Sequence, residues 1–221
     1  MKSSTNIQKI TVLGMLTALA YIFMLVTKLQ IVLVPSIPFL QYDPKDIIIV
    51  MAGYIYGPFS ALIVTVAVAF IEFITVSETQ IIGFLMNIIA TGAFCCTASF
   101  IYYKKRTFGS ALLGLVCGVL VLTGVMVIWN VILTPIFMGV SRQDVIKMLV
   151  PGFIPFNILK GSLNSAFIML LYRPLVNGIK RTGLIRVDAH PDSGMGKRVA
   201  IIGVVLLILC LVIVLMFNSI V

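Results

Sequence analysis

The chain of 221 residues is 61% hydrophobic and only 10% charged, with a mean hydropathy of +1.17, which excludes a soluble globular domain and marks an integral membrane protein. Its net charge of +9 does not imply nucleic acid, because the basic residues sit in short loops beside apolar runs, as orientation in a bilayer requires. The apolar stretches are continuous and of helical length, so helices are predicted rather than the alternating strands of a membrane barrel.

The first span is predicted over about Ile10 to Val26. Lys2, Lys9 and Ala18-Leu19-Ala20 have the outline of a signal peptide with its cleavage site, but the apolar run continues past Ala20 and favours a retained helix. A loop with Pro35, Pro38 and QYDPKD (41–46) follows. The apolar region 47–76 is too long for one upright helix and short for two, and Gly57-Pro58 breaks it near the middle. Topology decides. With the N-terminus cytoplasmic, a single crossing would put Lys104-Lys105-Arg106 outside, whereas two short helices hinged at Gly57-Pro58 return that cluster to the cytoplasm.

The fourth span is predicted over 80–103 and the fifth over 108–138, the latter glycine-rich and bent or ended by Pro135. An outer loop (139–150) leads to the sixth span, from Pro151 to Tyr172. A basic segment with Arg173, Lys180, Arg181, Arg186, Lys197 and Arg198 comes next, so that eleven of the sixteen basic residues lie inside. The run 199–217 is long enough for a seventh span with the C-terminus outside. The expected organisation is thus a six-helix membrane domain (1–182), a basic cytoplasmic linker (183–198) and an added transmembrane helix (199–221). No internal repeat is evident, so the inverted-repeat architecture of many secondary transporters finds no support.

The sixth span holds the main functional signal. Lys160 would lie roughly 14 Å below its mouth at about 1.5 Å per residue, where an unpartnered ammonium costs about 2.5–3.5 kcal/mol or more. Asn157, Lys160 and Asn164 fall within an arc of about 60° on one helix face, and Gly161 on the same arc leaves room beside them. That face suits a pocket for a polar, planar, hydrogen-bonding ligand. The plainer alternative is a polar stripe joining two helices, with Lys160 paired to an intramembrane acid. Three further groups are expected at the same end: PSIPFLQYDPKD with Phe39, Leu40, Tyr42, Asp43 and Asp46; Ser77-Glu78-Thr79-Gln80; and Trp129-Asn130 with Leu133-Thr134-Pro135. Aromatic faces, amides, carboxylates and a lysine together could stack a ring and bond its edges. Singly, Trp129 and Tyr42 read as interfacial anchors and Glu78 as a solvated acid.

Other chemistries are poorly served. Cys95, Cys96, Cys117 and Cys210 lie in apolar runs without metal-ligand spacing, and the single histidine, His190, stands in the polar linker, so no metal or disulfide framework is expected. GMGKR (194–198) lacks the first glycine and the Ser/Thr of a phosphate loop. No nucleophile–histidine pair supports catalysis. Gly14-x-x-x-Ala18 on the first helix permits close approach of another helix, either inside the bundle or from a partner.

IPFLQYDPKDI (37–47), GYIYGP (53–58), LTPIFMG (133–139) and IPFNILKG (154–161) resemble the riboflavin-binding, RibU-type S components of energy-coupling-factor (ECF) vitamin transporters, over about residues 8–182. The resemblance implies a six-helix protein in a prokaryotic plasma membrane. Such a protein captures its vitamin from outside and is driven by a transmembrane coupling subunit with two ATPases. It has no catalysis or cofactor of its own, and riboflavin is its transported ligand. By position, Asn130, Asn157 and Lys160 match residues holding the flavin ring. Leu40, Tyr42 and Glu78 fall where loop and helix-end contacts lie. The family's A-x-x-x-A contact with the coupling subunit appears as Gly14-x-x-x-Ala18. Asp43, Glu78 and Asn164 are further candidates for binding, the two acids as acceptors from ribityl hydroxyls. The segment 199–217 exceeds the six-helix pattern. A subunit for another vitamin, and a proton-coupled secondary transporter pairing Lys160 with Glu72 or Glu78, are the alternatives, ahead of a purely structural membrane subunit.

Overall fold

The computed structural model describes residues 2–27, 33–34, 40, 42–76, 80–182 and 195–219; Phe39, Glu78, His190 and most of the linker lie outside them. Eight α-helices follow in order among the described residues: α1 (Lys2–Thr27), α2 (Lys45–Tyr56), α3 (Pro58–Thr75), α4 (Gln80–Lys105), α5 (Phe108–Met138), α6 (Arg142–Met148), α7 (Ile154–Thr182) and α8 (Met195–Ser219). A π-helical turn, Leu149–Phe153, joins α6 to α7. Five apolar stretches, within α1, α3, α4, α5 and the α6–α7 path, are long enough to cross a bilayer. The chain is a multi-pass membrane protein.

The region 47–76 does form two helices. Gly57 sits at φ 95°, a backbone conformation that favours glycine, and Pro58 opens α3, where its missing N–H costs nothing. Lys9 lies 5.8 Å from the Tyr56 ring, and Arg106 stacks 4.6 Å over Tyr103, the residue flanking Gly57. The start of α1, the hinge and the 104–106 cluster therefore share one end of the bundle, as two crossings require. α2, only 12 residues long, is shorter than a hydrocarbon core of about 30 Å. It is buried on almost every side between α1, α3, α4 and α7.

Two boundaries differ from expectation. The predicted outer loop 139–150 is mostly helix: Gly139 ends α5 at φ 66°, and the Ser141 hydroxyl accepts from the Asp144 N–H to cap α6. α5 runs through Pro135 to Met138, the expected end of the fifth span. The sixth span extends beyond Tyr172, α7 continuing to Thr182 with Pro174 inside it.

Packing divides into two cores. At the basic end Tyr54 stacks on Tyr102 at 4.1 Å, and Tyr172 meets Tyr102 edge-on at 6.0 Å. At the other end Leu33, Val34, Tyr42, Val145, Phe153, Phe156, Leu159 and Cys210 form a second buried cluster. The final apolar run is α8, which packs chiefly along α7.

Candidate functional site

The polar groups predicted on the sixth span occupy the buried face of α7. Asn157, Lys160 and Asn164 are all nearly enclosed, Asn164 completely. Gly161 does not leave a gap beside them, as the sequence suggests; a Cβ there would lie 2.9 Å from the Val119 side chain. The missing side chain lets α5 pack against α7, so the glycine serves helix approach rather than ligand space.

Lys160 faces Asp46 at the start of α2, with Nζ 3.7 Å from Oδ2. That exceeds hydrogen-bond length. Among the described residues the ammonium makes no other polar contact, and it carries three N–H donors. Asp46, 1% exposed, is held firmly by its other neighbours, Thr91 donating at 2.8 Å and Asn164 Nδ2 at 3.2 Å. The Tyr42 hydroxyl donates to Asn164 Oδ1 at 2.7 Å. Burial, then the Asp46 and Asp43 carboxylates, push that hydroxyl far above its ordinary pKa, so it stays a donor at any relevant pH. Tyr42 thereby fixes the amide orientation of Asn164, and Asn164 fixes Asp46.

A second charged group adjoins the first. Lys45, fully buried, bridges Asp43 at 2.5 Å and Glu72 of α3 at 2.6 Å. Asn87 of α4 donates to the same Glu72 oxygen at 2.5 Å. Burial alone would raise the Asp43 carboxyl, but the Lys45 and Lys160 charges outweigh it and hold it below the usual carboxylate range. Asp43 is thus committed to Lys45 in this structure rather than standing free for a sugar hydroxyl. Glu72 is likewise committed, which corrects its suggested pairing with Lys160: the partner of Lys160 is Asp46.

Asn130, 1% exposed, lies on α5, which packs against α7. Its Nδ2 donates to Met126 O at 2.7 Å, and its Oδ1 accepts from Thr134 at 3.0 Å. Asn157 Nδ2 donates to Phe153 O at 2.8 Å. Each amide nitrogen has a second N–H, so neither residue is exhausted. Beside Asn130, the Trp129 Nε1–H is buried with no hydrogen-bond partner among the described residues, an uncommon condition for a buried indole. Leu40 packs on the cluster around Tyr42. Gly14 and Ala18 are exposed on α1, with nothing within 4 Å of a Cβ built on Gly14; close packing inside the bundle is not their use.

Sequence reasoning missed Lys45, Asn87 and Thr91. Lys45 reads as a loop residue beside a proline, yet it is paired with the one acid inside the third span. Asn87 and Thr91, four residues apart on one helix face, were the available signal.

The chain matches the family described as ECF transporter, substrate-specific component, over residues 8–172. Riboflavin transporter RibU of Staphylococcus aureus (strain TCH60) is 32% identical over 180 residues, spanning 79% of this chain and 93% of that protein. Riboflavin transporter RibU of Streptococcus thermophilus (strain ATCC BAA-250 / LMG 18311) is 27% identical, spanning 77% and 84%. A solved structure of the S component of a bacterial ECF transporter superposes with a TM-score of 0.67 at 30% identity, covering 79% of this chain and 99% of that one.

Proposed function

The chain belongs to the substrate-specific components of ECF transporters, and on that premise we propose that it captures riboflavin at the Lys160 end of the bundle. Members of this family are transport components, not enzymes. The ligand's uptake would be driven by a transmembrane coupling subunit and two ATPases. The exposed Gly14 and Ala18 would form part of the face meeting the coupling subunit, because small residues let a second helix approach closely. The shared basic end of α1 and the α4–α5 turn supports a cytoplasmic N-terminus. The Lys160 end then faces outward, in the plasma membrane of a prokaryote.

The observation that carries the reading is the buried Lys160 ammonium, which among the described residues forms one ion pair, with Asp46 at 3.7 Å. A flavin ring is planar and carries carbonyl oxygens and a ring N–H along one edge. Lys160 would donate to a carbonyl, Asn157 and Asn130 would complete the edge pattern, and the unpaired Trp129 N–H would gain an acceptor. Tyr42 and Leu40 would enclose the ligand from the segment preceding α2. Competition in detergent tests the choice of vitamin. Bound riboflavin should resist excess thiamine, biotin and folate; displacement by one of them would reassign the substrate.

A further inference from the structure

Helix α8 lies beyond residues 8–172 matched by the family, yet it reaches the candidate site. Among its described residues, the buried and half-buried Ile202, Gly203, Leu206, Leu207, Cys210, Ile213 and Val214 recur at three- and four-residue spacing and form a single stripe. The opposite face, with Val204, Val205, Ile208, Leu211, Val212 and Leu215, is exposed and apolar throughout, as lipid contact requires. A Cβ on Gly203 would meet Leu170 at 3.0 Å and the Ala166 carbonyl at 3.3 Å. About two turns further on, Cys210 is 2% exposed and belongs to the same cluster as Phe153, Phe156 and Leu159. α8 therefore runs antiparallel to α7, and its C-terminal half stands beside the site.

That cluster also contains Leu33, Val34 and Tyr42, with Leu40 packed against it. The described residues of the segment between α1 and α2 thus pack in one cluster with residues of α7 and with Cys210 of α8. Tyr42 orients Asn164 through its hydroxyl at 2.7 Å, and Asn164 in turn bonds Asp46, the partner of Lys160. We propose that α8 is a clamp on the binding site: it completes the buried wall around Tyr42, holds the residues preceding α2 against α7, and so slows release of the ligand. The effect on release rests on the capture reading above; the effect on the segment itself does not.

The test uses the full chain, its Cys210→Trp and Cys210→Ala variants, and a chain ending at Thr182. Two quantities are followed in detergent. The first is hydrogen exchange, without ligand, of the Lys45 and Ile47 amides, which bond Asp43 Oδ1 at 3.1 Å and Pro44 O at 3.1 Å. The second is the riboflavin dissociation rate, where changes at related sites mostly express themselves. Cys210→Trp should overfill the cluster and speed both, release by about tenfold, with the melting temperature lowered by only a few degrees, while Cys210→Ala stays near the unmodified chain. The truncated chain should resemble Cys210→Trp; if it does not stay folded, the point variant decides. Unchanged exchange in Cys210→Trp overturns the clamp, and faster exchange with unchanged release overturns its bearing on the ligand. Should the unmodified chain bind no riboflavin, the capture reading fails while the exchange measurement still decides the clamp.

Discussion

At the scale of single residues, the site is a chain of dependent orientations: Tyr42 on Asn164, Asn164 on Asp46, Asp46 on Lys160. Asp46→Ala should do more harm to the fold than to the ligand contacts. It leaves the Lys160 charge buried without its counter-ion, a loss of about 3–5 kcal/mol for a buried pair. Thermal unfolding in detergent would show it as a large drop in melting temperature, partly restored in Asp46→Ala/Lys160→Met; no restoration would deny that the two charges are coupled. Trp129→Phe makes the opposite prediction. The indole N–H has no partner among the described residues, so its removal should leave stability unchanged or slightly higher. If it bonds the ligand, affinity should fall by about 1 kcal/mol, a factor of roughly five. Stability loss without affinity loss would remove Trp129 from the site. Much of this was legible in the sequence, because a lysine and two asparagines on one face of an apolar helix have few other uses. The direction of the Asn130 and Asn157 amides was not. Their bonds to Met126 and Phe153 carbonyls depend on local helix geometry that residue spacing does not encode.

At the scale of elements, α2 is the member most dependent on its neighbours. Its length of 12 residues cannot cross a bilayer alone, and Lys45 and Asp46 at its start bind it to α3, α4 and α7 through Glu72, Thr91 and Asn164. Lys45→Met would strand Asp43 and Glu72 as unpaired carboxylates; a destabilisation of about 3–5 kcal/mol is expected, read as loss of folded protein on heating. The Asp43 carboxyl gives the same contact a pH signature. Its folded pKa lies below the ordinary range, so its contribution is complete above an unfolded value near 3.9 and is lost as pH falls through the folded pKa. Melting temperature should therefore decline on acidification into that range, and Asp43→Asn should flatten the decline. The two-helix reading of 47–76 followed from Gly57-Pro58 and loop charge. The helical course of 139–150 did not, because a serine cap and a π-helical turn carry no periodic signature in so short a stretch.

At the scale of the whole molecule, the bundle has one basic end and one end that gathers amides, acids and lysines, with apolar helix faces between them. Such a bundle can bind and orient a ligand, as suits a family of transport components rather than enzymes. Reconstituted alone in liposomes, it should bind riboflavin without accumulating it, under a proton gradient or otherwise; concentrative uptake by the chain alone would support a self-sufficient transporter instead. The central claim is most directly tested by titrating riboflavin into the purified chain while following flavin fluorescence and Trp129 emission. Saturable quenching at about one flavin per chain is expected, weakened about tenfold or more in Lys160→Ala because a charged donor to the ligand is lost. Saturable binding that Lys160→Ala leaves intact would take Lys160 out of the site, and no binding by folded protein would contradict riboflavin capture itself.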